Sequence, residues 1–281
     1  MNAWVPGALA QRAFLDACEL DVTALKPGNV RFGAPVRDMS AEDFMMSARA
    51  SVAALDEPGA SVGRRVLEAI RSTQKVVRCN TNLGIVLLAA PLFVAAEAGG
   101  DLRESLVRRL AALDRHDATL AYQAIRLARL GGMGSSARHD LSCEPQVTLL
   151  EAMREAQDHD SIARQYVRGF RDVFDVGIAH WVEALARFES ETWATSYLYL
   201  VYLSNWPDSL IERKFGTATA QAVSQRAQQH LSQFNSYSGL NDIESRLLQW
   251  DEQLRRDGLN PGTSADLTVA TVFAAKLARP V

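Results

Sequence analysis

Apolar residues recur along this chain at spacings of three and four, and almost nowhere at the alternation of two that marks a half-buried strand. Val62, Val66, Ile70 and Thr73 share one face of a helix that follows Gly59 and Ser61. Phe44, Ala48 and Leu55 share a face of another, opened by Ser40 and Asp43 at capping-box spacing. The same signals predict a first helix ending near Leu20 and a helix after Asp101 and Glu104. Another begins at Asp114 or Asp117 and stops at Gly131-Gly132. Ile162, Tyr166, Phe170, Phe174, Trp181 and Leu185 form the seam of one long helix predicted over 160–188. Beyond it come an apolar segment at 197–203, a short helix begun by Pro207-Asp208, and helices over 218–234, 243–256 and 264–278. The expected fold is all-α, a single multi-helix domain over 1–281.

One helix departs from this amphipathic pattern. From Leu83 to Ala96 the chain carries no charge, so the helix has no polar face to show to water and belongs at the centre of the fold. The polar turn Asn80-Thr81-Asn82 runs straight into it. A helix N-terminus presents unsatisfied N–H groups and a positive dipole end, which attract phosphate; equally, Asn and Thr at this position serve as plain caps.

Composition narrows the functional classes. A net charge of −3 and 48% hydrophobic residues describe an ordinary globular chain and argue against a nucleic-acid partner. Cys18, Cys79 and Cys143 are scattered and odd in number, as in a reducing compartment. No signal-peptide pattern opens the chain, and the apolar run at 83–96 is shorter than a bilayer requires. The expectation is a cytoplasmic protein with neither membrane nor nucleic-acid partners, its oligomeric state left open.

Five polar, glycine-containing stretches punctuate the helices, at 26–30, 80–84, 131–140, 208–216 and 261–266. Brought to one rim of a bundle, they would build a phosphate pocket. Helix N-termini would lie at Asn82 and Ser264, with close backbone approach at the glycines and cations at Lys26, Arg126, Arg138, Arg213 and Lys214. Only four lysines occur in the chain, and two of them fall in these stretches. Asp266 stands three residues after Thr263, as the acidic partner of a capping box or as a hard ligand for Mg²⁺. Glu68, between Arg64 and Arg71, reads by spacing as a solvated helix pair. His116-Asp117, His139-Asp140 and His159-Asp160 raise a metal-dependent phosphohydrolase as an alternative, carried by the loop pair His139-Asp140. No second histidine at helical spacing supports a metal cluster. A non-catalytic helical nucleotide-binding protein is the other alternative.

Taken together, these motifs resemble the triphosphoribosyl-dephospho-CoA synthase family. The matching positions are Lys26-Pro27-Gly28-Asn29-Val30, Gly33-Ala34, Asp38-Met39, Phe44, Glu68, Asn80-Thr81-Asn82-Leu83-Gly84 and the run from Ala121 through Tyr122 and Arg126 to Ala128. They continue through Gly131, Gly132 and Gly134, Asp140, the 208–216 segment and the run from Pro261 through Ser264 to Leu267. The resemblance implies an all-helical enzyme that takes ATP as substrate, expels adenine and joins the triphosphoribosyl unit to a hydroxyl of dephospho-CoA. It implies a phosphate cradle at Lys26, Gly28, Asn80, Thr81, Asn82, Gly84, Tyr122, Arg126, Gly132, Gly134, Arg213, Lys214 and Ser264. Asp140 and Asp266 are the implied acid and base, in either order, and Glu68 and Asp266 the implied ligands of Mg²⁺. Two departures stand out. Members typically read Asn-Thr-His-Lys-Gly where this chain has Asn82 and Leu83, and Gly-Ala-His where it has Pro35. A different acceptor is therefore expected, such as a pterin-type precursor of a one-carbon cofactor.

Overall fold

The charge-free run at 83–96 makes up all but the last two residues of α4 (Leu83–Ala98), and 11 of its 16 residues are buried. The computed structural model describes residues 7–130, 144–236 and 239–278. Around α4 lie α1 (Gly7–Thr23), α2 (Ala41–Leu55), α3 (Val62–Val76) and α5 (Leu102–Ala111); α6 (Arg115–Leu130) packs on α3, with α7 (Leu149–Ala156) and α8 (Ser161–Val167) following. A π-helical turn, Asp172–Gly177, leads into α9 (Ile178–Phe188). The chain continues through α10 (Glu191–Asn205), α11 (Ser209–Phe215), α12 (Thr217–Asn235), α13 (Leu240–Arg256) and α14 (Gly262–Ala278). No strand occurs among the described residues, and the all-α expectation holds.

Two further helices share the interior with α4: α10 and α14 are each buried on nearly every face. Phe14 of α1, Phe93 of α4 and Phe273 of α14 form an aromatic knot at the centre, with ring centroids 4.9–5.7 Å apart. Pro91 lies inside α4 and brings no N–H, so the carbonyl four residues back, at Leu87, has no helical donor. The fully buried Tyr166 of α8 supplies one, its Oη donating to the Leu87 carbonyl at 2.6 Å.

The capping signals hold in detail. Ser40 and Asp43 form a reciprocal box, and Asp101 accepts from the Glu104 N–H. Asp114 and Asp117 cap each other's backbone, and Asp117 also accepts the N–H of Gly63 at 2.7 Å. The predicted 160–188 helix is corrected. It breaks after Val167, where Gly169 (φ +60°) and Phe170 (φ +56°) turn left-handed, and resumes through the π-turn. Of the predicted seam, Tyr166, Phe170 and Trp181 are buried, and Ile162, Phe174 and Leu185 pack half-buried against the core. One helix escaped the sequence reading: α7, opened by a Thr148–Glu151 capping box.

Candidate functional site

Four helix N-termini meet at one place: those of α4, α8, α11 and α14. The Ser161 N–H donates to Ser209 Oγ (3.4 Å), whose hydroxyl donates to Thr263 Oγ1 (3.1 Å), tying α8 to α11 and α14. Asp208 caps two helices at once. Its Oδ1 accepts the N–H groups of Leu210 and Ile211 in α11, and its Oδ2 accepts the N–H and hydroxyl of Ser264 in α14, at 2.7 and 2.8 Å. Asp160 does the same for α8 through Ile162 and Ala163. Carboxylates suit these positions because each faces the positive end of a helix dipole.

Asp266 is the exception. It lies against Gly84 so closely that a Cβ there would come within 2.6 Å of its Cγ and 2.9 Å of the Ile162 methyl. Gly84 is thus required for close approach, with α4 packed under the carboxyl of α14. Asp266 does not complete a capping box with Thr263, which lies inside α14. Among the described residues its carboxyl accepts no hydrogen bond. Loss of hydration pushes its proton affinity well above the usual carboxylate range. Asp21, Asp208 and Asp160 push the same way, and Lys26 pulls against them.

Lys26 has no exposed surface. Its Nζ donates to Asp21 and, at 2.5 Å, to Asn29 Oδ1, and it lies over the Tyr199 ring. It was expected to face phosphate directly. Instead, two of its three donors are committed within the protein, and its charge acts on the cluster through a buried medium. Burial raises the Asp21 carboxyl, and Lys26 restrains it. The loop carrying Lys26 is held from α13: the Gly28 N–H donates to Asp251 (2.8 Å), and Arg255 bridges Asp251 to the Asn29 and Pro35 carbonyls. Gly28 adopts φ +80° and passes within 2.7 Å, as measured from a built Cβ, of the Leu259 carbonyl. Asn29 in turn donates to Asn260 at 2.9 Å.

In the 80–84 turn the roles divide. Asn80 Oδ1 accepts the Leu83 N–H at 3.2 Å and is the working cap. Asn82 makes no cap bond; its amide turns inward to Ser51 and Thr73. Thr81 shares a 2.5 Å hydrogen bond with Ser47. Thus Asn82 and Thr81 are committed to the α2–α3 side of the turn rather than aimed outward.

The remaining expected residues separate into groups. Ser264 joins the cluster, but its N–H and hydroxyl are taken by Asp208. Tyr122 sits on α6, its hydroxyl raised by burial and by Glu155, and Arg126 lies one turn further along the same helix. Arg213 and Lys214 occupy the last turn of α11, at the opposite end from Asp208. Glu68 pairs with Arg71 at 2.6 Å on the exposed side of α3 and does not join Asp266. No group of three His, Cys, Asp or Glu among the described residues is placed to hold a metal ion. Gly132, Gly134, Asp140 and the His139-Asp140 pair lie outside the described residues. Four of the five polar stretches therefore converge, through Asn29–Asn260, Asp208–Ser264 and Gly84–Asp266. What spacing did not reveal is the part played by Asp21, Asp160 and Asp251; only the cap signal at Asp160 was readable.

Comparison with known proteins identifies the family and the fold. The model of the ATP:dephospho-CoA triphosphoribosyl transferase family matches residues 8–281. A crystal structure assigned as a triphosphoribosyl-dephospho-CoA synthase from Archaeoglobus fulgidus superposes with a TM-score of 0.64 at 29% identity. The match covers 82% of this chain and 96% of that one. No curated protein matches the chain. No single helix among the described residues is long and apolar enough to cross a membrane.

Proposed function

The chain belongs to the ATP:dephospho-CoA triphosphoribosyl transferase family, and from that premise we propose that the four-helix junction is the ATP site and Asp266 its acid. The reaction breaks the bond between adenine and C1′ of the ribose and forms one between C1′ and an acceptor oxygen. As the first bond breaks, negative charge builds on the departing base and positive charge on the sugar. A carboxyl that keeps its proton near neutral pH can deliver it to adenine, while the acceptor's hydroxyl proton passes to a base. The observation that carries this reading is Asp266: without a hydrogen-bond partner among the described residues, pressed onto the N-terminus of α4, and with its proton affinity raised first by loss of hydration and then by Asp21, Asp208 and Asp160. Asp140, assigned from the sequence alone, is the proposed base. Asp160 and Asp208 take the helix-start N–H groups of α8, α11 and α14, so the counter-charge for the triphosphate would come from a bound cation, with the buried Lys26 adding charge without touching it.

Mg²⁺ is proposed as the companion of ATP, where it would neutralise triphosphate charge. Glu68, already paired with Arg71, does not fit as its ligand. Asp266, with unused lone pairs, fits as a single protein ligand after giving up its proton, since Mg²⁺ commonly takes one carboxylate together with phosphates.

We infer further that the acceptor hydroxyl is not that of dephospho-CoA. Where relatives carry His and Lys, this chain has Asn82, turned into the core, and the apolar Leu83. A sugar-alcohol hydroxyl on a pterin-type one-carbon carrier precursor suits a site without that imidazole and ammonium. Liquid chromatography of adenine released from Mg-ATP, run across acceptors, tests both parts. Adenine release that Asp266→Asn abolishes is expected; no adenine with any acceptor would end the transferase reading.

A further inference from the structure

We propose that a second, separate subsite takes the anionic group of the acceptor, built from Arg37 and Lys214 on a cleft walled by Val36, Met39, Leu210 and Phe215. The inference deepens the transferase reading and rests on it for the acceptor's role. Three observations carry it.

The first is the cleft itself, which lies between the 36–39 turn, the end of α11 and the 258–260 segment. It adjoins the ATP site through one residue: Asn260 lines it and also accepts from Asn29, which accepts from Lys26. The second is the charge. Burial, and then the nearby Arg37 and Arg213, disfavour the charge on Lys214, and none of the three forms an ion pair among the described residues. Cations crowded with no ion-pair partner, only the more distant Asp208 acting on Lys214, beside an apolar wall, suit a phosphate on an otherwise apolar or flat molecule. Carboxylates dominate the helix junction, so the two sites differ in sign as well as place. The third is the backbone at Arg37. Val36 and Met39 pair across a two-residue turn at 3.0 and 3.1 Å, and Arg37 holds φ +52°, a left-handed conformation a non-glycine residue seldom takes. Glycine would fit that turn without strain; Arg37 in its place puts a charge at the cleft mouth.

Amine labelling provides the test, because the chain has only four lysines. Lys26 is buried and Lys276 is bonded to Glu191, which leaves Lys75 as the exposed control for Lys214. With limiting acetic anhydride and mass spectrometry, millimolar inorganic phosphate should slow modification of Lys214 at least threefold and leave Lys75 unchanged. Protection should persist with Mg-ATP present and disappear in Arg37→Gly, a change that relaxes the turn while removing the cation. Phosphate without effect on Lys214, or Mg-ATP alone protecting it as fully as phosphate does, would overturn the separate subsite. Neither readout depends on adenine release, so loss of the transferase reading would register separately.

Discussion

At the scale of single residues the site is a problem in buried charge. Lys26 and Asp21 neutralise each other with no water access, so Lys26→Met leaves a carboxylate stranded; thermal or denaturant unfolding should show a loss of about 3–5 kcal/mol. Pairing it with Asp21→Asn should recover most of that loss. Asp266 behaves oppositely. Its folded proton affinity lies above the unfolded value, so the native state binds more protons and stability falls as pH rises from about 4 through the raised value. Asp266→Asn should remove this slope and hold or raise stability at pH 7, while adenine release drops by about 10² or more. If Asp266 instead serves as a Mg²⁺ ligand, activity rises with its deprotonation. A pH–rate profile with the opposite slope would therefore count against the acid role. Gly84→Ala tests the geometry: its methyl would overlap Asp266 and the Ile162 methyl, so activity should fall and chemical unfolding should show a loss of about 1–3 kcal/mol, alanine's helix preference offsetting part of it. Sequence reasoning reached Asp266 through its position three residues after Thr263. The carboxylates that set its proton affinity come from α1, α8 and α11, and no local pattern connects them.

At the scale of elements, helix starts were legible because caps are local chemistry, and the break after Val167 was not, because tertiary contacts decide it. Gly177 in the π-turn shows why. A Cβ there would come within 2.6 Å of Thr271 Oγ1 and collide with Tyr202 Oη, so the wider turn keeps a side-chain-free position against α10 and α14. Gly177→Ala should cost about 1–3 kcal/mol in chemical unfolding. The junction of α12 and α13 carries a second pH term. His230 stacks on Trp250 at 4.7 Å, and burial, with Arg226 and Arg246 adding to it, lowers its pKa to about 4. A neutral buried imidazole resists protonation, so the native state binds fewer protons than the unfolded chain between pH 6.5 and about 4. Stability should decline as pH falls through that window, and His230→Phe should flatten the decline.

At the scale of the whole molecule, the charge-free run of α4 was expected at the centre and is there, but it shares that place with α10 and α14. Their mixed polar and apolar residues disguise burial: hydroxyls such as Thr268 and Thr271 bond back to their own helix and enter the core satisfied. The convergence of distant loops followed from motif order more than from periodicity, since spacing along a chain says nothing about which ends meet. If the junction binds ATP, Mg-ATP should raise the melting temperature, by about 2.7 kcal/mol of added stability at a hundredfold excess over Kd. The long-range bond from Tyr166 to the Leu87 carbonyl has a historical side. Tyr166→Phe alone orphans that carbonyl, whereas Pro91→Ala first restores a main-chain donor and makes the loss of the hydroxyl harmless. On these energetics the less costly order of divergence is proline before tyrosine, and Tyr166→Phe should cost more stability beside Pro91 than in a Pro91→Ala background.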